Sequence, residues 1–328
     1  MRVSADVFEE IFPVAGSFTI SRGSRTAAHV VTLELRRGGF VGRAECVPYA
    51  RYDETATSVI DTVKRTVERF DGSITREKLL FALPAGAARN VLDCALWELE
   101  AKECGLSVWQ LAGLDAPKPV TTAFTISLGT PDEMERAARE NASRPLLKIK
   151  LGKPDDLERV RAVRRGAPEA SLIVDANEGW SVEDYLSISP ALFDLNVVMV
   201  EQPLPASNDD ALIGIPRLVP VCADESCRDL ASLRALDGKY DAVNIKLDKA
   251  GGLTEALALA DAASASGYMI MVGCMLSTSL GMAPAQLLAQ KAKFTDLDAP
   301  LLLARDRANG IRYEGSVMYQ ASRALWGG

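Results

Sequence analysis

The sequence predicts an α/β fold, a parallel (β/α) barrel preceded by a smaller α+β module, on three observations. Its 328 residues accommodate one barrel of about 200–250 residues plus a smaller companion. Residues 1–115 read as a few strands followed by helices. From residue 121 onward the chain becomes periodic: β-rich runs end in polar residues at Lys150, Asp175, Glu201, Asp224 and Lys246, and the series continues through an apolar run to Val272 and the pair Asp296 and Asp298. The steps of 22–26 residues match one strand-loop-helix-loop unit, repeated.

Taken in order, Phe18-Thr19-Ile20 and residues 30–35 are strand-like. Arg37-Gly38-Gly39 is a turn, and a further strand ends near Glu45, which makes a small meander. From Asp53 to Leu114 the pattern is helical. Val91, Leu92, Ala95, Leu96 and Leu99 recur at helical spacing and Gly105 offers a stop. Residues 121–127 open the barrel series, and segments such as 155–165 and 254–265 alternate apolar and charged residues as outer helices do. Gly251-Gly252 is either an ordinary βα turn or an anion site at a helix N-terminus.

Composition removes several function classes. With 44 acidic against 37 basic side chains the net charge is −7, so no overall positive field draws the chain to nucleic acid or anionic lipid. The first residues carry charges where a secretory apolar core would sit, and no uncharged apolar run approaches the roughly 18 residues of a membrane span. The chain reads as cytoplasmic, and room is left for a homo-oligomer. The six cysteines contain no C-x-x-C pair and suit reduced, packed thiols. The single histidine, His29, reads as a satisfied strand residue. Triad hydrolysis would need it as the base, and H-E-x-x-H zinc chemistry is excluded, so acid/base work falls to other side chains.

The periodic strand ends carry the chemistry, because barrel strands converge at their C-terminal mouth. Asp175, Glu201 and Asp224 end three successive strands. Unneutralised they would repel, whereas one hard divalent cation, magnesium above all, turns them into an oxygen site. Local caps or salt bridges are the alternative. Lys148 and Lys150 share a strand face, as do Asn244 and Lys246. With the lysines inside the barrel near a cation, the ammonium is disfavoured and the pKa is expected to fall toward a general base's range. Lys150 and Lys246 flank the carboxylates in strand order, as two bases on opposite faces of a substrate carbon would. A pair of structural salt bridges is the competing account.

Lys148-Ile149-Lys150, Asp175-Ala176-Asn177, Glu201-Gln202-Pro203, Ala223-Asp224-Glu225-Ser226 and Asn244-Ile245-Lys246-Leu247 resemble the successive signatures of the enolase superfamily, muconate lactonizing enzyme subgroup, over nearly the whole chain. The resemblance implies an α+β capping domain over 1–115, a modified (β/α)7β barrel over 116–302, and a tail over 303–328 that returns to the cap. Superfamily sites use a Lys or His base with magnesium stabilising an enediolate. Thr295-Asp296-Leu297-Asp298-Ala299-Pro300 is similar to the dipeptide epimerases, the L-Ala-D/L-Glu epimerases of peptidoglycan recycling in particular. There such a pair, on one face of a strand, holds a free α-ammonium; a cap or surface charge is the alternative.

The resemblance further implies Lys150 and Lys246 as acid/base lysines acting on the (R) and (S) α-carbons, Lys148 as electrostatic support, and Asp175, Glu201 and Asp224 as ligands of one Mg2+ per chain. It places Thr125, Cys274 and Met275 on the substrate, a small dipeptide. In the cap, Arg22 and Arg25 compete to meet the side-chain carboxylate, with Arg25 favoured; solvated loop arginines are the alternative. Asp53 stands where the family pattern leads us to expect glycine, which puts an added charge in the lid loop. Other readings of the same residues are a cycloisomerase or o-succinylbenzoate synthase, an N-acylamino acid racemase, a Schiff-base lysine enzyme, and a non-catalytic binding barrel.

Overall fold

The computed structural model describes residues 3–70, 72–152 and 156–328. Strands β1 (Ser4–Ile20), β2 (Gly23–Arg37) and β3 (Phe40–Cys46) form an antiparallel sheet in that order. The expected meander is present, but its first strand starts far earlier than Phe18. β1 pairs β2 from Ser4 opposite Arg36 to Ile20 opposite Gly23. Val7, Phe12 and Val14 are buried while Phe8 and Ile11 are exposed, so hydropathy does not follow burial along that strand. His29 lies exposed on β2 with Nδ1 2.8 Å from Glu9 Oε1, an ordinary cross-strand contact.

Helices α1 (Ala56–Phe70), α2 (Arg76–Ala82), α3 (Ala87–Cys104) and α4 (Val108–Leu111) follow. α3 is buried on nearly every side and packs directly on β3. A Cβ at Gly42 would fall 2.0 Å from Ala95 O, so only glycine admits the helix this close. Gly105, at φ 68°, ends α3 with its N–H on Ala101 and Lys102 carbonyls, as the stop signal predicted.

The run 121–127 divides in two. β4 (Val120–Thr121) pairs with the C-terminal segment, and β5 (Phe124–Ile126) starts the barrel. The barrel continues through α5 (Pro131–Glu140), β6 (Leu146–Lys150), α6 (Asp156–Gly166), β7 (Ser171–Asp175), α7 (Val182–Asp194), β8 (Val197–Glu201), β9 (Val221–Ala223), β10 (Ala242–Ile245), α8 (Leu247–Ala250), α9 (Leu253–Ala265), β11 (Met269–Gly273), α10 (Ser279–Ala289) and β12 (Phe294–Asp296). The helix read over 155–165 is α6; Asp155 lies outside the described residues. Strands β5 to β12 pair in chain order, all parallel. A bridge between Thr122 and Thr295 brings the last strand back to the first. Not every unit carries the expected α-helix: only 3-10 turns, Asp209–Leu212 and Leu230–Leu236, stand after β8 and β9.

One residue per strand, Leu146, Ile173, Met199, Cys222, Ala242 and Met271, together with Ala123 makes a separate buried apolar cluster. This is the barrel floor. A strand alternates faces with period two, so the residues two steps further on, Lys148, Asp175, Glu201, Asp224 and Asn244, point into the same interior above it. Apolar floor and polar site are thus consecutive positions of one strand face.

After β12 come α11 (Ala299–Leu302), β13 (Tyr313–Glu314) and β14 (Val317–Met318), the last pairing β4. The tail then meets the first module: Arg43 Nη2 donates to Ala324 and Leu325 carbonyls at 2.7 Å, and Arg307 pairs with Glu10 and the buried Glu45 at 2.7 Å. Gly251-Gly252 is a packing device rather than an anion site. A Cβ there would meet Arg89 Nε at 2.4 Å or Asp93 Cβ at 2.5 Å. Asp93, from α3, accepts from Thr254 N at 2.9 Å, so the start of α9 is already capped by a carboxylate of the other module. All six cysteines are free thiols, and among the described residues no helix is long and apolar enough to cross a membrane.

Candidate active site

The barrel mouth gathers the carboxylates and lysines singled out from sequence. Asp175, Glu201 and Asp224 are fully buried or nearly so and each offers an oxygen within 4.8 Å of the others. Lys150 Nζ lies 2.6 Å from Asp175 Oδ2, and Lys246 Nζ 2.6 Å from Asp224 Oδ2. In strand order the two lysines bracket the triad, Lys150 on β6 before it and Lys246 directly after β10. Lys148 Nζ sits deeper, 2.7 Å from Glu201 Oε2, 2.8 Å from Asp296 Oδ2 and 3.3 Å from Asp175 Oδ2. Asn244 Nδ2 donates to Glu201 Oε1 at 2.8 Å.

Carboxylates dominate the electrostatics of the buried lysines. Burial pushes Lys246 and Lys148 down, but the surrounding carboxylates, Asp224 for Lys246 and Asp296 with Glu201 for Lys148, outweigh it and raise both. Among protein neighbours alone, these carboxylates hold both lysines as ammonium. Burial likewise opposes the ionised forms of Asp175 and Asp224; Lys150 and Lys148 nevertheless hold Asp175 near 2, and Lys246 with Lys249 holds Asp224 well below the usual range. Glu201 is pushed up to about 7 by burial and by Asp175 beside it. The lysines leave this carboxylate incompletely neutralised.

The last-strand pair also departs from its expected geometry. β12 ends at Asp296, and Asp298 already has helical backbone at the start of α11, where Pro300 follows. The two carboxylates are therefore not successive residues of one strand face, although both are buried. Asp298 Oδ2 accepts from Thr125 N at 2.6 Å across the barrel seam. Burial and the charge of Asp296 push Asp298 up to about 7.

A cavity lies between the mouth and the cap. Lys150, Asp224, Lys246, Cys274 and Met275 line it from the barrel, and Arg22 and Arg25 from the tip of the β1–β2 hairpin. Asp296, Asp298 and Thr125, all buried, are not among the residues lining it. Arg22 is committed: it reaches Glu225 Oε1 at 2.6 Å, Tyr49 Oη and Asn177 O at 3.0 Å, and Glu178 at 3.3 Å. Arg25 stacks over the Tyr49 ring, 5.7 Å from its centroid, and has no carboxylate partner among the described residues. Asp53 has φ 58° and is exposed, outside the cavity lining. Its left-handed backbone explains why glycine fits the position and why aspartate is tolerated there.

Sequence reasoning missed Lys249 and Glu225. Lys249 is buried on Asp224 Oδ1 at 2.6 Å and Asn244 O at 3.0 Å, and both residues line the cavity. Lys249 follows Lys246 by one helical turn, a spacing that could have indicated it. Nothing in the Asp224-Glu225 doublet separates a cavity residue from a surface charge.

Two family descriptions match the chain: mandelate racemase / muconate lactonizing enzyme, N-terminal domain, over residues 2–113, and enolase C-terminal domain-like, over residues 132–309. The chain belongs to the mandelate racemase / muconate lactonizing enzyme family of the enolase superfamily. Among relatives in this superfamily, the L-Ala-D/L-Glu epimerase of Escherichia coli strain K12 is 48% identical over 94% of this chain and 96% of its own length. The N-acetyl-D-glutamate racemase of a Pseudoalteromonas species is 45% identical over 88% and 92%. An enolase family member from Agrobacterium tumefaciens with homology to dipeptide epimerases, its crystal structure holding sodium and L-Ala-L-Glu, superposes with a TM-score of 0.97 at 51% identity over 99% and 100% of the two chains.

Proposed function

We propose that this enolase-superfamily isomerase is a dipeptide epimerase that inverts the α-carbon of the C-terminal residue of L-Ala-D/L-Glu. The observation that carries the reading is the placement of Lys150 and Lys246 on either side of the carboxylate triad. One lysine, as the free amine, takes the α-proton from one face; the other, as ammonium, returns a proton to the opposite face, and reversal of the roles runs the reaction backward. Asp175, Glu201 and Asp224 fit a magnesium ion: three buried, hard oxygen donors within reach of one centre, one of them incompletely neutralised by the lysines. When bound, such a cation supplies positive charge to the substrate carboxylate as it takes up the electron pair left by the proton.

The chain's own residues account for binding. Lys148 keeps the triad and Asp296 oriented, and Asp298, next to Thr125, offers a carboxylate to the ammonium of the first residue. Arg25, whose guanidinium has no carboxylate partner among the described residues, is placed to meet the side-chain carboxylate of glutamate, with Cys274 and Met275 also lining the cavity. Residues 1–115 and the tail from 303 serve as the lid. Such a substrate supports a role in recycling murein peptides, and we assign the activity to the cytoplasm.

The test is proton NMR of L-Ala-L-Glu with purified protein and magnesium in deuterated water, beside an EDTA-treated control. Growth of the diastereomer with deuterium at the glutamate α-carbon, lost with EDTA, is the expected result; absence of exchange there overturns the reading. The N-acetyl-D-glutamate racemase relative favours one second reading, racemisation of an N-acylated glutamate, which faster turnover of N-acetyl-L-glutamate than of the dipeptide would establish.

A further inference from the structure

Tyr52 ends the 3-10 turn Ala50–Tyr52 of the cap and lines the cavity together with Lys246, Asp224 and Glu225. Its ring is held in place: the Tyr49 ring meets it edge-on at 5.6 Å and 66°, and the Arg228 guanidinium lies 4.5 Å from its centroid. Its hydroxyl is buried, yet among the described residues it has no hydrogen-bond partner. The neighbouring tyrosine is different, since Tyr49 Oη accepts from Arg22 at 3.0 Å.

A buried polar group left unpaired destabilises a folded chain, and native proteins keep few of them. The other unpartnered buried atoms of this cavity lining, Glu225 Oε2 and Asn177 Oδ1, are acceptors. A phenol is protonated at neutral pH and can donate. Tyr52 therefore presents, on the Lys246 side of the cavity, a fixed neutral donor with no acceptor in hydrogen-bond range among the described residues. The residue undergoing epimerisation carries oxygens that can receive it.

We propose that Tyr52 is a substrate-binding residue, its hydroxyl donating a hydrogen bond to an oxygen of the residue being epimerised and so setting that residue against Lys246. The proposal rests on the dipeptide reading above. It makes Tyr52 unlike a packing tyrosine in one measurable respect. Removal of the hydroxyl takes away no protein hydrogen bond, so stability without substrate should hold or rise while recognition of substrate falls.

Tyr52→Phe keeps the ring and its stacking partners. In the full-length, magnesium-loaded protein, kcat/KM for L-Ala-L-Glu is expected to fall about 10-fold or more, as loss of a hydrogen bond to a charged oxygen does. The melting temperature without dipeptide should be equal to or above that of the parent, and the upward shift caused by saturating dipeptide should shrink. A kcat/KM within twofold of the parent overturns the proposal, as does a loss matched by a lower melting temperature in the substrate-free protein. If the parent itself leaves the dipeptide unchanged, the dipeptide reading fails and this contact falls with it; an active parent with an equally active variant refutes Tyr52 alone.

Discussion

Lys148 and Asp296 stand 2.8 Å apart, Nζ to Oδ2, joining β6 to β12 across the seam that β5 closes. The same ammonium lies 2.7 Å from Glu201, so one buried charge ties the carboxylate triad to the last strand. A buried charge whose partner is deleted is left uncompensated. Lys148→Met is therefore expected to destabilise the metal-free protein by about 3–5 kcal/mol. Urea titration checks this, and the deficit should narrow as pH falls through about 7 and Glu201 takes up a proton.

Lys150→Ala and Lys246→Ala should each lower turnover of L-Ala-L-Glu by a factor on the order of 10²–10⁴, the span usual for a positioned acid or base. Both variants should retain the far-ultraviolet circular dichroism of the parent. Full activity in either one contradicts the two-base arrangement.

Removal of magnesium with EDTA should abolish turnover, and its return should raise the melting temperature, because a ligand bound only by the native state stabilises it by mass action. Glu201→Gln should weaken magnesium binding in isothermal calorimetry. An unchanged calorimetric affinity in that variant argues against Glu201 as a ligand.

The two cap arginines make opposite predictions. Arg25→Met should raise KM for L-Ala-L-Glu strongly and that for L-Ala-L-Gln little, since it removes the guanidinium proposed to meet the charged side chain. Arg22→Met, which removes the Glu225 partner, should affect both dipeptides alike. A glutamate-selective defect confined to Arg22→Met would reverse the assignment.

Asp248, half-buried two residues after Lys246, accepts from Val47 N at 2.9 Å and Asn90 Nδ2 at 2.8 Å, and desolvation pushes it up to about 7. A carboxyl raised in the folded state holds its proton more firmly there than in the unfolded chain. Its contribution is complete below about pH 4 and is lost as pH rises through about 7. Melting temperature measured across that window should fall in the parent relative to Asp248→Asn, whose amide oxygen can keep both acceptor roles. Parallel curves would show that Asp248 does not titrate there.

The barrel and its mouth were legible because a period of two within strands and of 22–26 residues between them leaves visible marks at Asp175, Glu201 and Asp224. Other features left weaker marks. β1 carries exposed Phe8 and Ile11, so its extent is hidden from hydropathy. The turn after Asp296 places Asp298 off the strand, although D-x-D alone suggests one face. The raised lysines follow from carboxylates at 2.6–2.8 Å, a distance that no linear pattern encodes. Lys249 acquires meaning only through what folding places beside it.

The carboxylate of Asp93, seated on the first turn of α9 against Gly252, makes the lid part of the barrel's own architecture. A lid transplanted from a relative to change substrate choice would have to bring an acid at that position, and the recipient would need the glycine pair to receive it. If the proposed roles of Arg25 and Tyr52 hold, substrate choice is exchanged at the hairpin tip and the turn that carry them, while the contact where Arg89 and Asp93 meet the barrel must be inherited as a unit.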